Sequence, residues 1–251
     1  MTTSASAKSK SGGIIGTIKT IVIAVLIALG VRTFLYEPFN IPTGSMVPTL
    51  LVGDYLFVSK FAYGYSAQTL LFGIPAFDGR ILASEPDRGD VIVFRLPTNP
   101  SEHYIKRLIG LPGDEIQMIE GRLYINGEMV ERERIEDYVY NGVRYQQYIE
   151  ILPNGREHNI IERSDSAGLD NTPVYVVPED HYFFMGDNRD GSLDSRVPGR
   201  NGQPAQVGYV PGDNLVGRAE VIWFSLEDSS FFEIWNWPTS LRVSRIFDAV
   251  N

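Results

Sequence analysis

Residues Ile14 to Val31 read IIGTIKTIVIAVLIALGV, an 18-residue apolar run interrupted by Thr17, Lys19 and Thr20. A membrane-spanning helix needs about 20 predominantly apolar residues, and continuing through Phe34-Leu35-Tyr36 reaches that length. Lys19 can extend its stem toward the basic side and keep its ammonium in water. A removable secretory leader is the rival reading, but its cleavage site needs small residues. The stretch Arg32-Thr33-Phe34-Leu35-Tyr36 is bulky where they should stand. The run therefore reads as a retained anchor over residues 14–35, and whatever follows must fold as a tethered body.

Charge fixes the expected orientation. Up to Arg32 the chain carries four basic residues (Lys8, Lys10, Lys19 and Arg32) and no acidic one, leaving 18 basic and 31 acidic residues for the remainder. Basic flanks stay on the cytoplasmic side, so the N-terminus is expected in the cytoplasm and the large C-terminal part outside. Residues 1–13, rich in Ser, Ala, Gly and Lys, read as a disordered cytoplasmic tip. An acidic body without a basic, aromatic-interleaved stripe argues against nucleic acid as a partner.

The chain has no cysteine, which excludes disulfides, thiolate catalysis and Cys-ligated zinc. His103, His158 and His181 stand far apart and form no His-Glu-x-x-His pattern, so neither a metal nor another cofactor is expected. Each histidine reads more simply as a surface or satisfied core residue.

Beyond Tyr36 the pattern is β. Val91-Ile92-Val93-Phe94 is a continuous apolar run behind the turn Arg88-Gly89-Asp90 and predicts a strand buried on both faces. Tyr104–Ile109, Val174–Val177, Tyr182–Met185 and Leu215–Phe224 read as further strands. Asn126-Gly127, Asn141-Gly142 and Asn154-Gly155 are hairpin signals. No long stretch after the anchor has helical periodicity. The expected fold is mainly β: an N-terminal transmembrane helix, then an all-β catalytic domain from 36–119 and 179–251. A smaller β-rich domain, 120–178, is inserted in it. Two aromatic stretches, Phe61 to Phe77 and Phe231 to Trp237, fit either core packing or a surface at the bilayer boundary.

Three places carry possible chemistry. Ser45 lies 14 residues past Val31 in Ile41-Pro42-Thr43-Gly44-Ser45-Met46-Val47-Pro48, and is either a turn residue or a nucleophile near the membrane. A serine nucleophile needs a base. Strand alternation puts Lys106 on one face with Tyr104 and Leu108, apolar apart from the phenol and the amine. Burial there would lower its pKa, although a lysine whose stem packs and whose head reaches water fits the strand better. The third place is Gly186-Asp187-Asn188-Arg189-Asp190-Gly191-Ser192-Leu193-Asp194-Ser195-Arg196. Its spacing does not match a calcium loop and fits an Asp–Arg network with one Ser facing a site better.

Together these blocks resemble bacterial signal peptidase I, the leader peptidase. The blocks are Gly44-Ser45-Met46-x-Pro48-Thr49-Leu50, Arg88-Gly89-Asp90-Val91-Ile92-Val93-Phe94, Lys106-Arg107-x-x-Gly110-Leu111-Pro112-Gly113-Asp114 and the 186–196 loop. They stand in the family's order behind a single anchor, and the middle segment, 120–178, carries none of them. The resemblance implies a serine endopeptidase of the bacterial cytoplasmic membrane that takes secretory preproteins. By it Ser45 is the nucleophile, Lys106 the general base, Ser192 a hydrogen-bond partner orienting the Lys106 amine, and Thr43 a side-chain donor of the oxyanion hole. Asp194 and Arg196 are the ion pair behind the Ser192 loop, helped by Asp187 and Arg189. Ile41 and Met46 are candidate substrate contacts that packing alone would also explain. The competing readings are a tethered β-domain that binds envelope proteins without catalysis, and a self-cleaving Ser/Lys protease of the SOS-repressor type. The sequence leaves the oligomeric state open.

Overall fold

The computed structural model describes residues 11–70, 79–199, 206–227 and 231–251. The expected tip thus lies, up to residue 10, outside the described residues, as does the aromatic stretch from 71 to 77.

The anchor is an α-helix, Ser11–Phe34, of 24 residues. At about 1.5 Å rise per residue it is long enough to cross a hydrocarbon core of roughly 30 Å. Every side chain from Ile15 to Leu29 is exposed, so the largely apolar helix is not covered by any of the described residues. Such a surface suits lipid and not water. Its exit is clamped. Glu37 accepts from Arg32 at 3.2 Å and from the buried Lys60 ammonium at 3.0 Å. The Tyr65 hydroxyl donates to the Phe34 carbonyl at 2.5 Å, and the Lys60 N–H donates to the Leu35 carbonyl at 2.8 Å.

Among the described residues, seven strands form one antiparallel sheet. Its order is Tyr36–Asn40, Asp54–Ser59, Leu215–Ser225, Val91–Leu96, Asn99–Gly110, His181–Met185 and Val210–Pro211. The central run behaves as its composition predicts. Val91 and Val93 pack on one face with Leu56, Val58, Ala219 and Ile222, while Ile92 and Phe94 pack on the other with Leu108, Phe184 and Leu215. Burying each such side chain contributes about 1.5–3 kcal/mol. This doubly covered strand is the rigid neighbour of the strand that carries Lys106, with Ile92 opposite Lys106 in register.

Residues 115–177 build two smaller four-stranded sheets. The Asn-Gly signals fall where expected: Asn126 and Gly127 (φ 55° and 79°), and Asn141 and Gly142 (φ 49° and 74°), turn tight hairpins. Both positions need positive φ, which Asn tolerates and Gly adopts freely. One of the small sheets shares a core with the large one. Ile116, Met118, Leu123 and Ile125 pack with Ile109, Phe183 and Met185.

Candidate active site

Ser45 is the middle residue of a 3-10 turn, Gly44–Met46, entered through the extended Thr43. The turn is pinned from below. Met46 and Leu50 are fully buried in the core beside Ile41, and Ser45 is 7% exposed above them. It is also pinned from the side, because Asn188 donates its backbone N–H to the Ser45 carbonyl and its side-chain N–H to the Gly44 carbonyl, both at 3.1 Å.

Lys106, 61 positions away, comes from the strand Asn99–Gly110, and its Nζ lies 2.7 Å from Ser45 Oγ. The amine also donates to the Ile105 carbonyl at 2.9 Å. Lys106 is 3% exposed. Burial lowers its pKa to about 8, against the opposing pull of the Asp194 and Asp187 carboxylates. An amine with that pKa is neutral in an appreciable fraction near neutral pH and can take a hydroxyl proton at hydrogen-bond distance. His103 is exposed and His158 lies in a separate buried cluster, so neither histidine is the partner of Ser45.

The 186–196 loop closes the third side. Arg196 makes a bidentate pair with Asp194 at 3.0 and 2.8 Å, and Asp194 also accepts the Gly186 N–H at 3.0 Å. Burial would raise the Asp194 carboxyl, but Arg196 outweighs it and the group sits below its usual range. Asp187 pairs with Arg107, at 2.8 and 2.7 Å, and accepts from Thr49 Oγ1 at 2.5 Å. Arg189 pairs with Glu150 through both terminal guanidinium nitrogens. Two of these partners, Arg107 and Glu150, were not expected from the sequence.

The structure departs from the sequence reading in two places. Ser192 is buried, but among the described residues its hydroxyl makes no hydrogen bond to Lys106; the charged group it faces is Asp194, whose carboxyl it helps to hold below its usual range. The Lys106 amine spends its contacts on Ser45 and Ile105 instead. Ser192 Oγ lies over Gly186, where an added Cβ would stand 2.3 Å from it and 2.5 Å from the Ser45 carbonyl oxygen. Ile41 and Met46 are buried in the core beneath the turn and do not face the cleft. Their apolar surface is used to seat Ser45.

The cleft itself has a volume of about 410 Å³ and is lined by Pro42, Thr43, Ser45, Glu102 to Lys106, Gly191 and Leu193. Thr43 is exposed in it, and its side chain does not cap the turn. The strand Asn99–Gly110 pairs along one edge with Val91–Leu96, but on its other edge with His181–Met185 only from Arg107 onward. Among the described residues, Glu102 to Ile105 thus present a free strand edge to the cleft. A free edge accepts an extended peptide as an added strand.

Glu102, His103 and Leu193 line the cleft without having been singled out in the sequence. Glu102 and His103 were findable as neighbours of Lys106 on the same strand. Leu193, 54% exposed between the buried Ser192 and Asp194, carries no motif of its own.

Comparison with known proteins gives the family. The family model described as signal peptidase, peptidase S26, matches residues 14–224. The signal peptidase I of Rickettsia typhi is 44% identical, the match covering 89% of each chain. That of Rickettsia canadensis is 43% identical over 91% of each chain. A crystal structure of a signal peptidase I from Enterococcus faecalis is 29% identical, covers 54% of this chain and 97% of that one, and superposes with a TM-score of 0.32. The chain belongs to the signal peptidase, peptidase S26, family and is a membrane-anchored serine endopeptidase of the signal peptidase I type.

Proposed function

We propose that this chain removes signal peptides from secretory preproteins with Ser45 as nucleophile and Lys106 as general base. The observation that carries the reading is the 2.7 Å approach of a buried, pKa-lowered amine to Ser45 Oγ. Neutral Lys106 takes the Ser45 proton as Oγ bonds to the scissile carbonyl carbon. The negative oxygen is held by the Ser45 backbone N–H, early in a turn where N–H groups lack an intrahelical acceptor, and by the Thr43 hydroxyl. Lys106 then gives its proton to the departing amine as the C–N bond breaks. A water, deprotonated by Lys106, attacks the ester carbon; the bond from that carbon to Ser45 Oγ then breaks, Lys106 returns the proton to Oγ, and the carboxylic acid product leaves. The Asp194–Arg196 and Asp187–Arg107 pairs hold the surrounding loop and strand in place.

The free edge of Glu102 to Ile105 supports extended binding of the substrate. Side chains one and three positions before the cut then point the same way, because the strand period is two. Shallow recesses in the cleft at both places would select small residues, which is the pattern at secretory cleavage sites. Lys8, Lys10 and Lys19, at the N-terminal side of the helix, favour a cytoplasmic N-terminus in the bacterial inner membrane, with the β-domain outside. The exposed Phe232, Ile234 and Trp235 suit contact with lipid headgroups.

Cleavage of a secretory precursor by purified full-length chain tests the mechanism. Ser45→Ala and Lys106→Ala should each abolish cleavage with the melting temperature retained. Lys106→Arg should also be inactive, since a guanidinium is not a neutral base. Near-normal cleavage by Lys106→Ala would sink the mechanism. Digestion of the β-domain by protease added outside spheroplasts tests the orientation, and digestion only from the cytoplasmic side overturns it.

A further inference from the structure

The 115–177 region reaches the Ser45–Lys106 centre through a buried brace that the mechanism above does not use. Glu150 is 1% exposed on the strand Val143–Ile151, and it holds the equally buried Arg189 with both carboxylate oxygens. Arg189 opens the 3-10 turn Arg189–Gly191, immediately before Ser192. Its carbonyl accepts from Arg196 at 2.6 Å, and its neighbour Asn188 makes the two bonds to Gly44 and Ser45.

Two further contacts fix the same loop from the same region. The Ile161 N–H donates to the Asp187 carbonyl at 2.9 Å, and Asp190 accepts the Arg163 N–H at 2.7 Å. Residues 187 to 190 are therefore tied to the middle region at three points, Asp187, Arg189 and Asp190. They are tied to the nucleophile turn by the residue in their midst.

We infer that Glu150 is a positioning residue for the proposed reaction: by fixing Arg189 it sets the loop that holds the Ser45 turn against Lys106. The inference rests on the Ser45–Lys106 reading and assigns a task to the middle region within it. Cutting the tie at Glu150 lets the 188–192 loop relax, and water then reaches the amine. Two consequences follow. A loss of alignment of about 1 Å costs on the order of 100-fold in rate. A wetter amine has a pKa nearer that of an ordinary lysine, so the acid limb of the rate profile moves upward. The carboxylates that face Lys106, Asp194 and Asp187, remain in place in the variants below, and His158 and Arg189 are the groups facing Glu150 itself.

The experiment measures kcat, KM and the pH profile of precursor-peptide cleavage by detergent-solubilised full chain, with a thermal melt of each variant. Glu150→Gln keeps the shape and removes the charge. The double variant Glu150→Met with Arg189→Met leaves no orphaned buried charge, and apolar replacements of buried ion pairs of this kind commonly fold. The expected result for a folded variant is a kcat lower by about 10- to 100-fold. KM should stay within about twofold, and the acid limb should move up by roughly half a pH unit or more. Rescue by Glu150→Asp, wholly or in part, would support the carboxylate's role.

Wild-type kcat and an unmoved limb in either folded variant overturn the inference. So does unfolding of both, because the brace then serves folding and not the site. Ser45→Ala and Lys106→Ala, run beside them, separate this from the proposed mechanism. Activity in those two removes the mechanism, whereas silence in those two with wild-type behaviour at Glu150 removes only the brace.

Discussion

One added methyl group at Gly186 is a sharp test of the site's geometry. Gly186 carries no charge, and its N–H bond to Asp194 survives a change to alanine. The new Cβ would stand 2.3 Å from Ser192 Oγ, 2.5 Å from Ser192 Cβ and 2.5 Å from the Ser45 carbonyl oxygen. Carbon–oxygen contacts relax only beyond roughly 3.4 Å, so about 1 Å must open between the Ser192 loop and the Ser45 turn. Ser192 is a short side chain with little room to give, and the other neighbour is backbone. Forcing a methyl into such a packed place typically costs about 1–3 kcal/mol of stability. A shift of about 1 Å in a reacting group costs on the order of 100-fold in rate. Gly186→Ala should therefore fold with a modestly lowered melting temperature and cleave a precursor peptide roughly 100-fold more slowly, chiefly through kcat. Gly186→Ala within twofold of wild type in kcat would show that the close approach of Ser192 to Ser45 is not a condition of activity.

Two further outcomes follow from the charges around the amine. With Lys106 the base and its pKa lowered to about 8, kcat/KM should fall nearly tenfold per pH unit below that value and level off above it, since only the neutral amine is active; a profile flat from pH 6 to 9 contradicts it. Asp194→Asn removes a carboxylate that raises the Lys106 pKa, so the acid limb should move to lower pH. The same change strands the buried Arg196, and breaking such a pair costs about 3–5 kcal/mol, readable as a fall in melting temperature or denaturant midpoint.

The anchor, the central strand and the hairpin turns were legible because each is a local pattern. An apolar run, a Val-Ile-Val-Phe stretch and Asn-Gly pairs need no tertiary knowledge to interpret. Lys106 was legible in part: strand alternation placed it on an apolar face, and the structure adds the approach to Ser45 across 61 positions. The partners of the buried arginines around the site were not legible. Arg107 and Arg189 find Asp187 and Glu150, each at a distance set by how the sheets stack. Glu150 is misleading in sequence, since it stands between Ile149 and Ile151 in an alternating strand. Alternation would turn the isoleucines inward, yet both are half-buried while Glu150 is buried. Arg189 supplies the opposite charge that makes the burial tolerable. Burial alone would raise the Glu150 carboxyl, and Arg189 with His158 holds it below its usual range instead. Lys60 was missed for the same reason, as its counter-charge Glu37 comes from the strand that follows the anchor.

That junction has a consequence for where the chain can cut. Were the segment between Phe34 and Ser45 a free tether of about 11 residues, its end would wander over roughly 18 Å. The Glu37–Lys60 bond, the Tyr65 hydroxyl on Phe34 and the pairing of Tyr36–Asn40 with Asp54–Ser59 remove that freedom. The helix and the Ser45 turn are then held as one lever. With Ser45 as the proposed nucleophile and the helix in a bilayer, the helix would act as a depth gauge: it would set the height at which Ser45 works, and a substrate anchored in the same bilayer would meet it at one fixed point along its own length.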